Sequence, residues 1–249
     1  MFRRCTILSV VLVSVELAAF GLAQTPSPNT PDLTGIWTTY RGAGGAGRGA
    51  GARGAQPELP LRPEAKAKVQ DYQRLIAGTG ETPGGHCLGT GMPGSMLGSG
   101  GYPMEIIQRP DQITIIYEAH NEIRRVYFGK RIIPEADRLS ERDGYSTGRW
   151  EGNTLVVETT KLNEQVDQRY AHSDKARIVE RYTLSEENGQ KVLTAEMTMT
   201  DPAFYTTAVS ETKKWSIIPN GFLMTYECNE PGWLDRLEEL RAKSSQRTK

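Results

Sequence analysis

From residue 103 the hydrophobic period changes to two in a series of short runs separated by turn residues, and no other feature of the chain restricts its fold as much. Strands are expected over 104–109, 112–119, 122–128, 145–150, 154–160, 176–184, 191–200, 211–218 and 221–228. The breaks between them carry turn residues: Pro110-Asp111, His120-Asn121, Glu151-Gly152-Asn153, Glu187-Asn188-Gly189 and Pro219-Asn220-Gly221. Several connections are only two to four residues long, so neighbouring strands should pair antiparallel as hairpins. So many strands in about 125 residues must bury their edges, which points to one antiparallel meander closed into a barrel of about 8–10 strands. A β-sandwich is the alternative. Along 193–199 the residues Leu193, Ala195, Met197 and Met199 share one face and Thr194, Glu196 and Thr198 the other. The pattern does not say which of the two faces inward. Arg177 and Arg181 share a face of their own strand in the same way.

The first 102 residues lack this rhythm apart from one short strand, expected over 33–40. Residues 1–23 open with Met1-Phe2-Arg3-Arg4, run through apolar 7–15 and end Gly21-Leu22-Ala23, the layout of a secretory signal peptide cut near Ala23. Glu16 interrupts the apolar run well short of the ~20 residues a membrane span needs, so a soluble exported protein, periplasmic or secreted, is expected. Residues 41–55 contain only Gly, Ala and Arg and have nothing to pack. A helix is expected over 63–76, with Pro63 at its start and Gly78 after its end, and a short charged helix over 233–243. Residues 78–101 hold ten glycines. The segment 24–102 is expected to fold with 103–249 as one domain. Export leaves Cys87 and Cys228 as an even pair in an oxidising compartment, so a disulfide is expected, pinning the glycine-rich segment as a lid over one barrel end.

The remaining composition excludes several classes. With 30 basic and 30 acidic residues the formal charge is zero, which gives no pull towards nucleic acid or anionic lipid. Gly89-Thr90-Gly91-Met92-Pro93-Gly94 has the spacing of a dinucleotide fingerprint but lacks the strand before it and the helix after it, so no cofactor is expected. His86, His120, His172, Glu118 and Asp174 show no metal-ligand spacing, and no metal is expected.

Leu33-Thr34-Gly35-Ile36-Trp37, Cys87 with Gly91-Met92-Pro93, the run Ile116 to Tyr127, Gly148-Arg149-Trp150-Glu151-Gly152-Asn153 with Thr154 to Val157, His172-Ser173-Asp174, Val179-Glu180-Arg181 and Asp201-Pro202 together resemble a family of exported bacterial β-rich proteins without an assigned function. The likeness covers most of the mature chain. Ile133-Pro134 stands where relatives carry His-Pro. The Gly35-x-Trp37 pair also resembles the start motif of lipocalins, whose tryptophan plugs one barrel end. These resemblances imply a lipocalin-like barrel and no particular reaction.

Chemistry must then be sought residue by residue. Glu118 and His120 lie two apart at a strand end with Asn121, Arg124 and Arg125 following, a set that can orient a base and hold an anion. His172 on the loop before 176–184 is the best acid/base candidate, and Glu118 is the carboxylate best suited to hold its ring. His172-Ser173-Asp174 is triad-like in spelling only, because neighbours in sequence cannot reach one another in a relay. The expected function is binding of a small apolar or aromatic molecule in the barrel. Glu118, Asn121, Arg124 and His172 are expected at the mouth, and Arg125, Tyr127 and Trp150 in contact with the ligand. The alternatives are a cofactor-independent lyase, isomerase or hydrolase using His172 and Glu118, and a cell-envelope interaction module. A buried polar cluster would favour the enzyme, an apolar cavity the binder, and a filled barrel with an exposed apolar patch the module.

Overall fold

The computed structural model describes residues 30–41, 58–98 and 101–229, together with 232, 234, 235, 237 and 238. The expected signal peptide, nearly all of the Gly/Ala/Arg segment and most of the 233–243 helix lie outside the described residues. Residues 229, 232, 234, 235, 237 and 238 have helical backbone.

Nine strands close into one barrel: β1 (Gly35–Thr39), β2 (Met104–Gln108), β3 (Gln112–Tyr117), β4 (Glu122–Tyr127), β5 (Tyr145–Glu151), β6 (Thr154–Thr160), β7 (Arg177–Glu187), β8 (Gln190–Thr200) and β9 (Val209–Ile217). Each strand pairs with its neighbours in sequence, and β9 closes the ring on β1 through Trp37 with Ile217 and Thr39 with Trp215. The helix α1 (Pro63–Ile76) and the short helix α2 (Gly94–Gly98) both lie in the connection between β1 and β2. Among the described residues no helix is long and apolar enough to cross a membrane.

Two expectations need correction. The 221–228 segment forms no strand: the edge of β9 is already taken by β1, so a further strand there has no ladder to join. And the meander is not antiparallel throughout, because β4 and β5 pair parallel, Val126 with Ser146 and Tyr127 with Thr147. Strand count explains this. Every antiparallel junction reverses chain direction, and a closed ring must return to its starting direction, so reversals come in even numbers. Nine junctions therefore require at least one parallel pair, and here eight are antiparallel and one is not. A parallel pair needs a connection of about a dozen residues or more, and residues 128–144 supply it.

Register settles the faces. Ile115 pairs with Arg124, Val126 with Ser146, Ser146 with Thr159, Thr159 with Ile178, and Glu180 with both Val157 and Met197, and all of these are buried. This inward row also carries Met199, Ala195, Tyr182 and Trp150, so the methionine stripe of β8 faces the lumen. Glu196, Thr198, Arg177 and Arg181 accordingly face outward. Trp37 is completely buried and donates from its indole nitrogen to the Leu33 carbonyl at 2.9 Å. With Leu33, Met104, Ile106, Ile113, Trp215 and their neighbours it belongs to one continuous core. Burial of a side chain of this size contributes roughly 1.5–3 kcal/mol.

Candidate functional site

Inside the barrel lies a buried charge pair. Arg124 on β4 donates from Nη1 to Glu180 Oε1 on β7 at 3.0 Å and from Nη2 to Glu180 Oε2. Its remaining donors reach Ser146 Oγ on β5 at 3.1 Å and Thr159 Oγ1 on β6 at 2.8 Å. Tyr182 donates to Glu180 Oε1 at 2.9 Å. Both charged side chains are 1% exposed or less. A charge removed this far from water needs its partners fully in place, and this pair has them. Tyr117 lies in the same region with its hydroxyl buried and unpartnered; burial raises it well above the usual phenol range.

The junction between β4 and β5 is the thinnest in the barrel, with two paired positions. Beside it a pocket of about 240 Å³ opens between the outer face of β4 and the 128–144 connection. Ile123, Arg125 and Tyr127 line it from β4, Ile133, Asp137, Leu139, Glu141 and Asp143 from the connection, and Tyr145 from β5, and it reaches inward to Arg124. Tyr127 and Tyr145 stack with centroids 5.2 Å apart, Arg138 covers the Tyr145 ring at 4.7 Å, and the Ile133 amide donates to the Tyr145 hydroxyl at 3.1 Å. Gly144 sets the chain against β6: its φ is +64°, and a Cβ there would stand 2.6 Å from the Thr160 carbonyl oxygen.

Asp143, immediately before that glycine, makes no hydrogen bond or ion pair among the described residues, and its Oδ1 is buried without a partner. Burial, reinforced by the neighbouring carboxylate of Glu122 and opposed by Arg124, raises its carboxyl to about 7. A carboxyl group at the edge of a pocket that titrates near neutrality is either a neutral donor or a proton carrier.

The glycine-rich segment packs over the loop-rich end of the barrel. Glu122 accepts from the Gly91 amide at 2.6 Å and the Ser95 hydroxyl at 2.5 Å. Arg142 donates to the Gly89 and Thr90 carbonyls at 2.9 and 3.2 Å and to Asp167 at 2.9 Å. Gln168 bridges the Met92 carbonyl and the Gly94 amide. Gly91, with φ +75°, permits this approach, since a Cβ would meet the Arg142 carbonyl at 2.7 Å. Met92 and Met96 are fully buried beneath. The Cys87–Cys228 disulfide is formed, with Cα atoms 5.6 Å apart.

The residues expected to work together are distributed among different tasks. Glu118 accepts from the Met224 amide at 2.7 Å, and Asn121 donates to the Tyr226 carbonyl at 3.0 Å, so the β3–β4 turn holds the 222–228 segment. His120 packs against the Tyr226 ring at 4.8 Å. His172 is completely buried, bonded through Nδ1 to the Tyr170 carbonyl at 2.9 Å, and its Nε2 has no partner. Burial lowers its pKa and keeps the ring neutral. No hydrogen bond joins Glu118 to His172. Ser173 bonds Asp201 through its amide and hydroxyl at 2.6 and 2.8 Å, fastening the loop before β7 to the turn after β8. Of the expected ligand contacts, Arg124, Arg125 and Tyr127 meet at the pocket. Trp150 lies in the core and Asn121 in the turn. The guanidinium of Arg124 is committed to Glu180, which leaves Arg125 as the pocket arginine without a partner among the described residues.

Asp143 escaped the sequence reading because Asp143-Gly144 spells an ordinary turn. The one available signal was the length of the 128–144 connection, too long for a hairpin. Among the described residues no three His, Cys, Asp or Glu side chains converge to hold a metal. No family model, curated protein or solved structure matches the chain.

Proposed function

We propose that this chain is an exported small-molecule-binding β-barrel that takes its ligand in the pocket at the β4–β5 junction, with Asp143 meeting the ligand's polar group. The observation that carries this reading is Asp143 itself, a pocket carboxyl with no protein partner. Buried polar groups are satisfied almost everywhere in folded proteins, so one left open beside a cavity marks a place for a partner from outside. The stacked Tyr127 and Tyr145 with Ile123, Ile133 and Leu139 give apolar and aromatic walls, and Arg125 gives a charged rim. This reading puts the ligand at the barrel wall and not in the barrel interior. Cleavage near Ala23 and export belong to the same reading, and the disulfide is compatible with them.

The test is a fragment screen by two-dimensional NMR on the mature protein, repeated on Asp143→Asn and Leu139→Trp. Leu139 is 75% exposed, so a tryptophan there obstructs the pocket without disturbing the core. Fragments that shift the amides of 123–127 and 139–145 and lose binding in Leu139→Trp support the proposal. Fragments that bind elsewhere, or bind Leu139→Trp equally well, overturn it. A second reading, an acid–base enzyme, is favoured by two observations: the buried polar cluster of Arg124, Glu180, Ser146, Thr159 and Tyr182 inside the barrel, and Asp143, whose carboxyl burial raises to about 7, where a general acid or base works best at neutral pH. Product analysis on each hit separates the two, because a binder returns its ligand unchanged.

A further inference from the structure

A different group lies away from this pocket. Lys213 and Lys214 are adjacent on β9 and point to opposite faces. Lys214 faces outward and its Nζ donates to Glu187 at 2.6 Å. Lys213 pairs in register with the buried Ala195, which itself pairs with the buried Tyr182, so its side chain shares the lumen face. It is partly buried and makes no hydrogen bond or ion pair among the described residues. Two residues away on that face, Glu211 accepts from the Tyr170 hydroxyl at 2.7 Å and is thereby engaged away from Lys213. An inward ammonium beside a carboxylate that bonds something else is an unusual expense for a fold, since a buried charge ordinarily finds its counter-ion.

We propose that Lys213 is a carbonyl-reactive amine, at which small aldehydes or ketones condense to a Schiff base. The chemistry balances without any further reagent. The Nζ lone pair adds to the carbonyl carbon, the resulting carbinolamine loses its hydroxyl as water, and a C=N bond replaces C=O. Glu211, two residues from Lys213 on the same face of β9 and hydrogen-bonded to Tyr170 of the β6–β7 connection, supplies the proton that the departing hydroxyl takes. Removal of Lys213 from water lowers its pKa, which raises the fraction of neutral, nucleophilic amine at neutral pH.

The experiment uses the intact disulfide-bonded protein, limiting benzaldehyde or propanal at pH 7, reduction with cyanoborohydride, and peptide mapping of the secondary amine formed. The expected result is an adduct at Lys213 that exceeds that at any other lysine by about fivefold or more. Lys213→Arg should abolish it, and Glu211→Gln should slow its formation while leaving the site unchanged. Lys213→Met serves as a second variant, because an apolar chain at a partly buried position keeps the barrel folded by circular dichroism. Adduct spread evenly over exposed lysines, or undiminished total labelling in Lys213→Arg, overturns the proposal. Either result leaves the pocket at the β4–β5 junction untouched, since neither reports on it.

Discussion

Two carboxylates lie near the same guanidinium and meet opposite fates. Glu180, inside the barrel, is completely buried and takes two bonds from Arg124 and a third from Tyr182. Asp143, on the wall side, feels Arg124 electrostatically but bonds nothing, and its carboxyl rises to about 7. The difference comes from geometry. Glu180 arrives on a regular strand, where register aims it at Arg124 across the lumen, whereas Asp143 arrives on a connection that skirts the pocket. A complemented buried charge holds a fold together, and an uncomplemented one beside a cavity is available for binding or proton transfer.

Breaking the complemented side should have the largest effect. Glu180→Leu leaves Arg124 buried without its counter-ion and should cost about 3–5 kcal/mol in urea unfolding. The double variant Arg124→Met with Glu180→Leu should recover most of that loss. If the double variant is as unstable as the single one, the pair is not what the lumen depends on.

Asp143→Asn should act in the opposite direction. The folded carboxyl holds its proton up to about 7, whereas an unfolded aspartate loses it near 4. Between those values the native state binds more protons, so wild-type stability falls as pH rises through that window. Asparagine removes the cost, so the variant should be more stable than wild type by roughly 2–4 kcal/mol above pH 7. The gain should vanish below about pH 4. A constant offset across pH would show that Asp143 titrates normally.

His172 sharpens the same comparison with a smaller effect. Its pKa is lowered on folding, so its contribution is complete above the ordinary imidazole value and is lost as pH falls through it. Asp143 opposes this trend in the wild type. Thermal unfolding of Asp143→Asn should therefore decline more steeply on acidification than the parent, and a parallel decline would remove the assignment. The smallest effect belongs to the outer wall. Arg177 and Glu158 form a bidentate pair at 2.7 Å with side chains 49% and 31% exposed. Its coupling in a double-mutant cycle should be under about 1 kcal/mol.

Most of the barrel was legible because a period of two survives in strands such as β3, β4 and β8, and the strand ends fall within a few residues of the sequence reading. The 221–228 segment was misread for a physical reason: it alternates like a strand, but pairing depends on a free edge, and β1 had taken it. The Cys87–Cys228 link was legible from the expected compartment and from the even number of cysteines it would leave. The site was not. Glu118 and His172 are polar residues beside turns, the usual sign of function, yet here they hold a chain segment and a loop in place. Asp143, hidden in an ordinary turn, acquires its character from burial and from Glu122 and Arg124, which approach it only after the ring has closed.

The odd number of strands has a consequence for how such a molecule can change. Removal or duplication of one strand would make every junction capable of running antiparallel, and the long detour through 128–144 would lose its purpose. A short hairpin could then seal the wall, and with it the cavity where Asp143 waits. Strand number and the cavity beside the β4–β5 junction are thus not independent features of this fold, and a ring of even strand number would lack the gap that the 128–144 connection leaves open.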